Sequence, residues 1–210
     1  MTNRPTTSPA AWGGILGPAA FIGAWATGAF VTNDLSPIDD AISRLAAIGA
    51  NTRPLMTAGF VAFGVALPVY GKALRRAVSG PAWIAAVATG LSTIGVALAP
   101  LDHSSAVDTL HATFAGLGYL TLAATPLLAA KPLRRAGHTA LAGLGVVAGA
   151  VAGASLALSL SGLPTGFFQR LGLTAGDVWI VTSAVAMLAG TLSADAPRRS
   201  ARRTRMSGQP

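Results

Sequence analysis

Six apolar stretches, separated by segments whose charges alternate in sign, constrain this chain more than any other feature. They run over residues 10–31, 54–71, 82–100, 110–130, 139–160 and 174–192. Each is roughly 18–22 residues long, and an α-helix of that length crosses about 30 Å of hydrocarbon. Arg4, Lys72, Arg75, Arg76, Lys131, Arg134, Arg135 and the five arginines Arg198, Arg199, Arg202, Arg203 and Arg205 fall on one side of these spans, twelve of the fifteen basic residues. Asp34, Asp39, Asp40, Asp102, Asp108 and Asp177, six of the seven acids, fall on the other, together with His103, His111, Arg44, Arg53 and Arg170. The positive-inside rule makes the basic side cytoplasmic. The pattern predicts an all-α, polytopic integral membrane protein: a six-transmembrane-helix bundle with both termini cytoplasmic and its polar chemistry on the outer face.

A net charge of +8 would suggest nucleic acid as the partner of a soluble protein. Here the excess sits in short loops and a tail beside the spans, so membrane lipids are the expected partners and nucleic acid is not. A mean hydropathy of +0.57 with 10% charged residues agrees. Cysteine is absent, which excludes disulfides, thiolate catalysis, Cys-ligated zinc and iron–sulfur clusters. Glutamate is absent too, and arginine outnumbers lysine thirteen to two. With so much alanine and glycine, this usage fits a high-GC bacterial genome, and hence a bacterial plasma membrane.

The first span has a weak secretory look, with Ala24-Trp25-Ala26 as a faint cleavage site. Its apolar run is longer than a signal h-region, Pro18 interrupts it and Arg4 is its only flanking charge, so retention is expected. Residues 1–9 read as a disordered cytoplasmic lead, 10–192 as the transmembrane domain, and 193–210 as a basic disordered tail. The tail's arginines would attract anionic lipid at about 1 kcal/mol each.

The segment 32–53 carries a helix start: Ser36 as N-cap, Pro37 at the first helical position and Asp39 three residues after the cap. Ile38, Ile42, Leu45 and Ile48 follow at near-helical spacing and Gly49 is a stop. This predicts a short outer amphipathic helix, lying in the interface or dipping into the bundle. The basic turns 72–81 and 131–138 look alike, as turns drawn from a small alphabet do by chance. Gly145, Gly149 and Gly153 form a ridge that predicts central packing for the fifth span.

Three outer elements carry candidate chemistry. Asp40 and Arg44 form an i,i+4 pair, which as a solvated face contributes only a few tenths of a kcal/mol. Asp108 and His111 share a face at the start of the fourth span, where the helix N-terminus favours a neutral imidazole. That arrangement suits a general base or a metal ligand, against the alternative of a histidine that staples two helices. A metal would have to draw on Asp102, His103, Asp108 and His111, a weak set, and neither metal nor cofactor is expected. Bis-His haem fails on distance, with His111 and His138 about 40 Å apart along a helix. Gln169 and Arg170 precede the sixth span, where Arg170 clamps an anion or snorkels to the interface. Asp177 is expected in the first turn of that span, stabilised by the dipole or paired with Arg170. With no charge deep in any span, ion transport is disfavoured.

Three elements recur in order: Ser36-Pro37-Ile38-Asp39-Asp40-Ala41-Ile42-Ser43-Arg44-Leu45, Pro100-Leu101-Asp102 with His111, and Gly166-Phe167-Phe168-Gln169-Arg170. In this the chain resembles the bacterial and archaeal membrane-protein family labelled domain of unknown function 998. The resemblance covers about residues 10–192 and carries over Asp40, Ser43, Leu45, Asp102, His111, Gln169 and Arg170. It implies a six-helix membrane fold and no settled activity. The chain departs from the family pattern at Arg44, where an acid or small polar residue is expected. The reading that follows is an outer pocket built from Asp40, Ser43, Arg44, Asp102, His111, Gln169, Arg170 and Asp177, holding a lipid head group or a partner membrane protein. The alternative is a membrane hydrolase or transferase on a lipid-linked substrate, with His111 as base and Ser43 as candidate nucleophile.

Overall fold

The computed structural model describes residues 8–33 and 35–192. Residues 1–7 of the expected lead, Asp34 and the whole expected tail lie outside the described residues. Six α-helices run in sequence: α1 Gly13–Val31, α2 Arg53–Ala77, α3 Ala82–Leu98, α4 Ser105–Arg135, α5 Thr139–Ser159 and α6 Thr165–Leu188. Short 3-10 helices, Pro9–Trp12 and Ile42–Ala46, precede α1 and α2. Five of the helices are long and apolar enough to cross a membrane, counting Pro9–Val31 as one span. The sixth, α3, has 17 residues and is equally apolar in character. It stops before Pro100 because the residue preceding proline is pushed out of the helical region, as Ala99 is at φ −113° and ψ 74°.

Helix ends differ from the apolar spans for identifiable reasons. The basic clusters expected in turns lie inside α2 and α4, with Arg75, Arg76, Arg134 and Arg135 in the last turns, where the negative end of the helix dipole stabilises cations. Gly137, at φ +89°, then closes α4 while the His138 N–H reaches back to the Leu133 carbonyl at 2.9 Å. At the other end α4 starts five residues before its apolar span, capped by the Ser104 side chain, which accepts the Val107 N–H. The largest difference is α6, which begins at Thr165 rather than Thr174.

Each helix packs on its sequence neighbours, through short connections everywhere except residues 32–52 between α1 and α2. The ring closes where α6 meets α1, and α6 also reaches α2 and α4, which makes it the central helix. The core holds Met56, Leu67, Tyr70 and Leu74 of α2 against Trp179, Ile180 and Met187 of α6. Exposed large side chains on the outside are apolar on every helix: Leu16, Val65, Leu91, Leu120, Val147 and Val185. Such a perimeter suits hydrocarbon rather than water, and α3 shares it. The chain is a multi-pass membrane protein.

Small residues set the helix separations. A Cβ on Gly90 of α3 would lie 2.7 Å from the Gly64 carbonyl of α2, so only glycine permits this approach. The ridge expected on α5 is real at two of its three positions. A Cβ on Gly145 would meet Trp179 and the Pro126 carbonyl, and one on Gly149 would meet Leu127 and the Ala123 carbonyl. Nothing lies near Gly153. Residues four apart on an α-helix drift by about 40° per step, which carries the third glycine off the contact. Helix α5 therefore packs on α4 and α6 at the perimeter, not at the centre.

Candidate functional site

The outer segment before α2 begins as its sequence suggests and then departs from an α-helix. Ser36 Oγ accepts the N–H groups of Ile38 and Asp39, at 3.3 and 3.1 Å, and the Ser36 N–H donates to the Asp40 carboxylate at 2.8 Å. Held this way, the turn ends, Ala41 is extended, and residues 42–46 wind as a 3-10 helix. Side chains three apart eclipse in that geometry, so Ile42 and Leu45 both turn inward and are buried, while Ile38 and Ile48 stay exposed. The expected amphipathic helix is thus a five-residue 3-10 helix seated on the bundle.

Two sets of bonds hold this cap. On the α6 side, Arg170 Nη1 donates to the carbonyls of Pro37, Asp40 and Gly166 at 2.6, 3.0 and 3.1 Å. The Phe167 N–H donates to the Ile38 carbonyl at 2.7 Å, and Gln169 Oε1 accepts the Ile42 N–H at 3.0 Å. On the other side, the Ile48 N–H donates to the Leu101 carbonyl at 2.9 Å and Thr52 Oγ1 to the Leu45 carbonyl at 2.8 Å. Arg44 pairs with Asp102 at 3.0 Å, not with Asp40, whose carboxylate is engaged by Ser36. Asp102 sits at φ +64°, and its N–H donates to the Asp108 carboxylate at 2.9 Å.

Beneath Ile42 and Ser43 lies a cavity of about 90 Å³. Aromatic rings enter its walls from three helices: Phe21 from α1, Phe60 and Phe63 from α2, Phe114 and Tyr119 from α4. Polar groups enter at several points: Thr89 and Thr93 from α3, His111 from α4, Gln169 and Asp177 from α6. A water-accessible space of this size has room for several waters.

Two of these groups lack protein partners among the described residues. His111 is 4% exposed, and its Nδ1 lies 2.6 Å from the Ala99 carbonyl. A carbonyl only accepts, so Nδ1 carries a proton, and in the neutral imidazole Nε2 presents a lone pair. Nε2 is buried with no hydrogen-bond partner. Asp177 is 1% exposed and neither carboxyl oxygen has a partner. Because α6 starts at Thr165, Asp177 is twelve residues into the helix, about 18 Å along its axis, and not in its first turn. An ionisable group does lie deep in a span, which removes the sequence argument against ion movement. An unpartnered buried polar atom costs about 1–3 kcal/mol, so its presence here needs a reason.

Of the residues predicted from sequence, the cavity gathers Ser43, His111, Gln169 and Asp177. Asp40, Arg44 and Asp102 hold the cap or its rim instead. Arg170 faces the loop carbonyls and stands against the Trp25 ring at 5.5 Å, so it does not meet Asp177. The metal candidates are dispersed: Asp102 is paired with Arg44, Asp108 accepts a backbone N–H, His103 is exposed and His111 bonds Ala99. Among the described residues no group of three or more His, Cys, Asp or Glu could hold a metal ion. Sequence reasoning missed Tyr119, Thr89 and Thr93. The two threonines, one turn apart with Ser92 between them, were a readable polar patch in α3.

No curated protein and no solved structure matches this chain. The family model described as "Protein of unknown function (DUF998)" matches residues 15–186, a stretch that includes every wall of the cavity, and the chain belongs to that family.

Proposed function

We propose that the protein is a membrane-embedded binding protein whose interior cavity takes up the polar end of an amphipathic molecule, a lipid or a lipid-linked compound. The carrying observation is the pair of deeply buried groups without protein partners, the Asp177 carboxyl and His111 Nε2, on one aromatic-lined cavity. Concave, mostly apolar space with a few convergent polar groups is the usual form of a small-molecule site. An ionisable residue inside a span marks function more often than structure. The charge alternation favours cavity access from the outer face of a bacterial plasma membrane with both termini inside. Native mass spectrometry of gently extracted protein tests the reading. A bound small molecule should accompany the wild type and be absent from Ala115→Phe, which fills the cavity. Identical spectra, both free of adducts, would count against a ligand site.

A second reading has one specific observation in its favour. Ser43 and His111 line the same cavity, and His111 Nε2 holds the lone pair a general base needs. No hydrogen bond joins Ser43 to His111 among the described residues. A fluorophosphonate probe that labels the wild type and spares Ser43→Ala would support a hydrolase or transferase. Absence of labelling in the wild type would leave the binding reading alone.

A further inference from the structure

We infer that the polar end of the ligand is a protonated amine. This rests on the cavity being a ligand site and adds the chemistry that site selects.

The argument is an inventory of hydrogen-bond capacity. The Asp177 carboxylate offers two accepting oxygens, and the neutral His111 ring, with Nδ1–H committed to the Ala99 carbonyl, accepts at Nε2. The tyrosine and threonine hydroxyls on the walls have directed their protons elsewhere, Thr89 to the Ala85 carbonyl at 3.0 Å. Tyr119 donates to the Phe168 carbonyl at 3.0 Å and Thr93 to the Thr89 carbonyl at 2.9 Å. Each retains only accepting lone pairs toward a ligand. Among the described residues no arginine or lysine lines the cavity. Arg170 bonds the cap carbonyls and Arg44 pairs with Asp102 outside. Acceptors therefore outnumber donors, and the donors left are the Gln169 amide and Ser43 hydroxyl.

A ligand that satisfies this set must bring several donors and a positive charge. An ammonium group brings three donors and one charge. The aromatic walls fit the same conclusion. Phe21 lies 5.8 Å from Phe60 and 5.3 Å from Phe63, centroid to centroid, a cluster that receives an apolar body and stabilises a nearby cation. A phosphate or carboxylate head would instead meet the Asp177 carboxylate with no cation beside it.

The test uses full-length protein in a neutral maltoside detergent with three probes that share one six-carbon chain: hexylamine, hexan-1-ol and hexanoate. Binding is read by calorimetry and by the shift of the thermal unfolding midpoint. Hexylamine should bind at least tenfold more tightly than hexan-1-ol, and hexanoate should not displace it. Asp177→Asn, close in shape, should bring amine and alcohol within about twofold, and Ala115→Phe should weaken both. Equal binding of amine and alcohol to the wild type would overturn the amine and leave the cavity reading in place. Binding of none of the three would remove both. An amine preference that survives Asp177→Asn would place it outside this site and refute the inference. Should Asp177→Asn not fold, displacement of hexylamine by hexanoate in the wild type would refute it equally.

Discussion

Replacing Asp177 with leucine should make the ligand-free protein more stable while abolishing its ligand. Both carboxyl oxygens are buried without a protein partner, at a cost of about 1–3 kcal/mol for such a group and more when charged. Leucine removes that cost, and its extra volume projects into a cavity of about 90 Å³ rather than into packed atoms. The added apolar burial contributes roughly 1 kcal/mol. The sum is a stabilisation of about 2–4 kcal/mol, or roughly 5–15 °C in unfolding midpoint for a chain of this size. The assay is thermal unfolding of delipidated wild type and variant in one detergent, because a retained ligand would stabilise the wild type by mass action. Tyr70→Phe is the contrasting control. The Tyr70 hydroxyl is buried but lies 2.6 Å from Ser183 Oγ, so its removal should cost about 1 kcal/mol. A lower midpoint for Asp177→Leu would show that the carboxyl supports the fold, and the functional argument built on it would fail.

Three other expectations follow from the packing and the topology. Gly149→Leu should lower stability by about 1–3 kcal/mol through collision with Leu127 and the Ala123 carbonyl, while Gly153→Leu should be nearly neutral because its side is open. Equal unfolding midpoints for the two would contradict the α4–α5 contact. Arg44→Ala should change stability by less than about 1 kcal/mol, since Arg44 and Asp102 are 44% and 47% exposed. A larger loss would mean the ion pair holds the cap closed. Cysteines placed at the exposed Ser79 and Ser104 should label from opposite sides of intact cells, and labelling of both from one side would refute the topology.

Length, hydrophobicity and charge were enough to read the six helices, because the bilayer imposes a span length and leaves few alternatives. Helix ends were less legible, for reasons that particular residues show. Gly166, Arg170 and Gly172 make the start of α6 look like a loop, since glycine and a charge interrupt the apolar run. In the fold Gly166 and Gly172 are buried at close contacts and the Arg170 guanidinium is hydrogen-bonded by backbone carbonyls, so the helix continues through them. That nine-residue extension moved Asp177 from a shallow cap to mid-bundle. The site was legible in part. Ser43, His111 and Gln169 reach the cavity as their motifs suggested. Arg44 went to Asp102 because the 3-10 helix breaks the i,i+4 register on which a pair with Asp40 depended. The phenyl rings of the walls carry no signal of their own, since a phenylalanine in a membrane span reads as lipid-facing or core alike.

The most direct test of an accepting, cation-seeking cavity uses the absence of cysteine. Ser43→Cys places one thiol on the cavity wall. Its modification rates with a cationic and an anionic methanethiosulfonate of similar size measure the potential that a ligand meets. The cationic reagent should react at least tenfold faster, once the rates are divided by those for a free thiol, and Asp177→Asn should reduce that ratio to within about threefold. A thiol that reacts with neither reagent, or faster with the anion, would contradict the account.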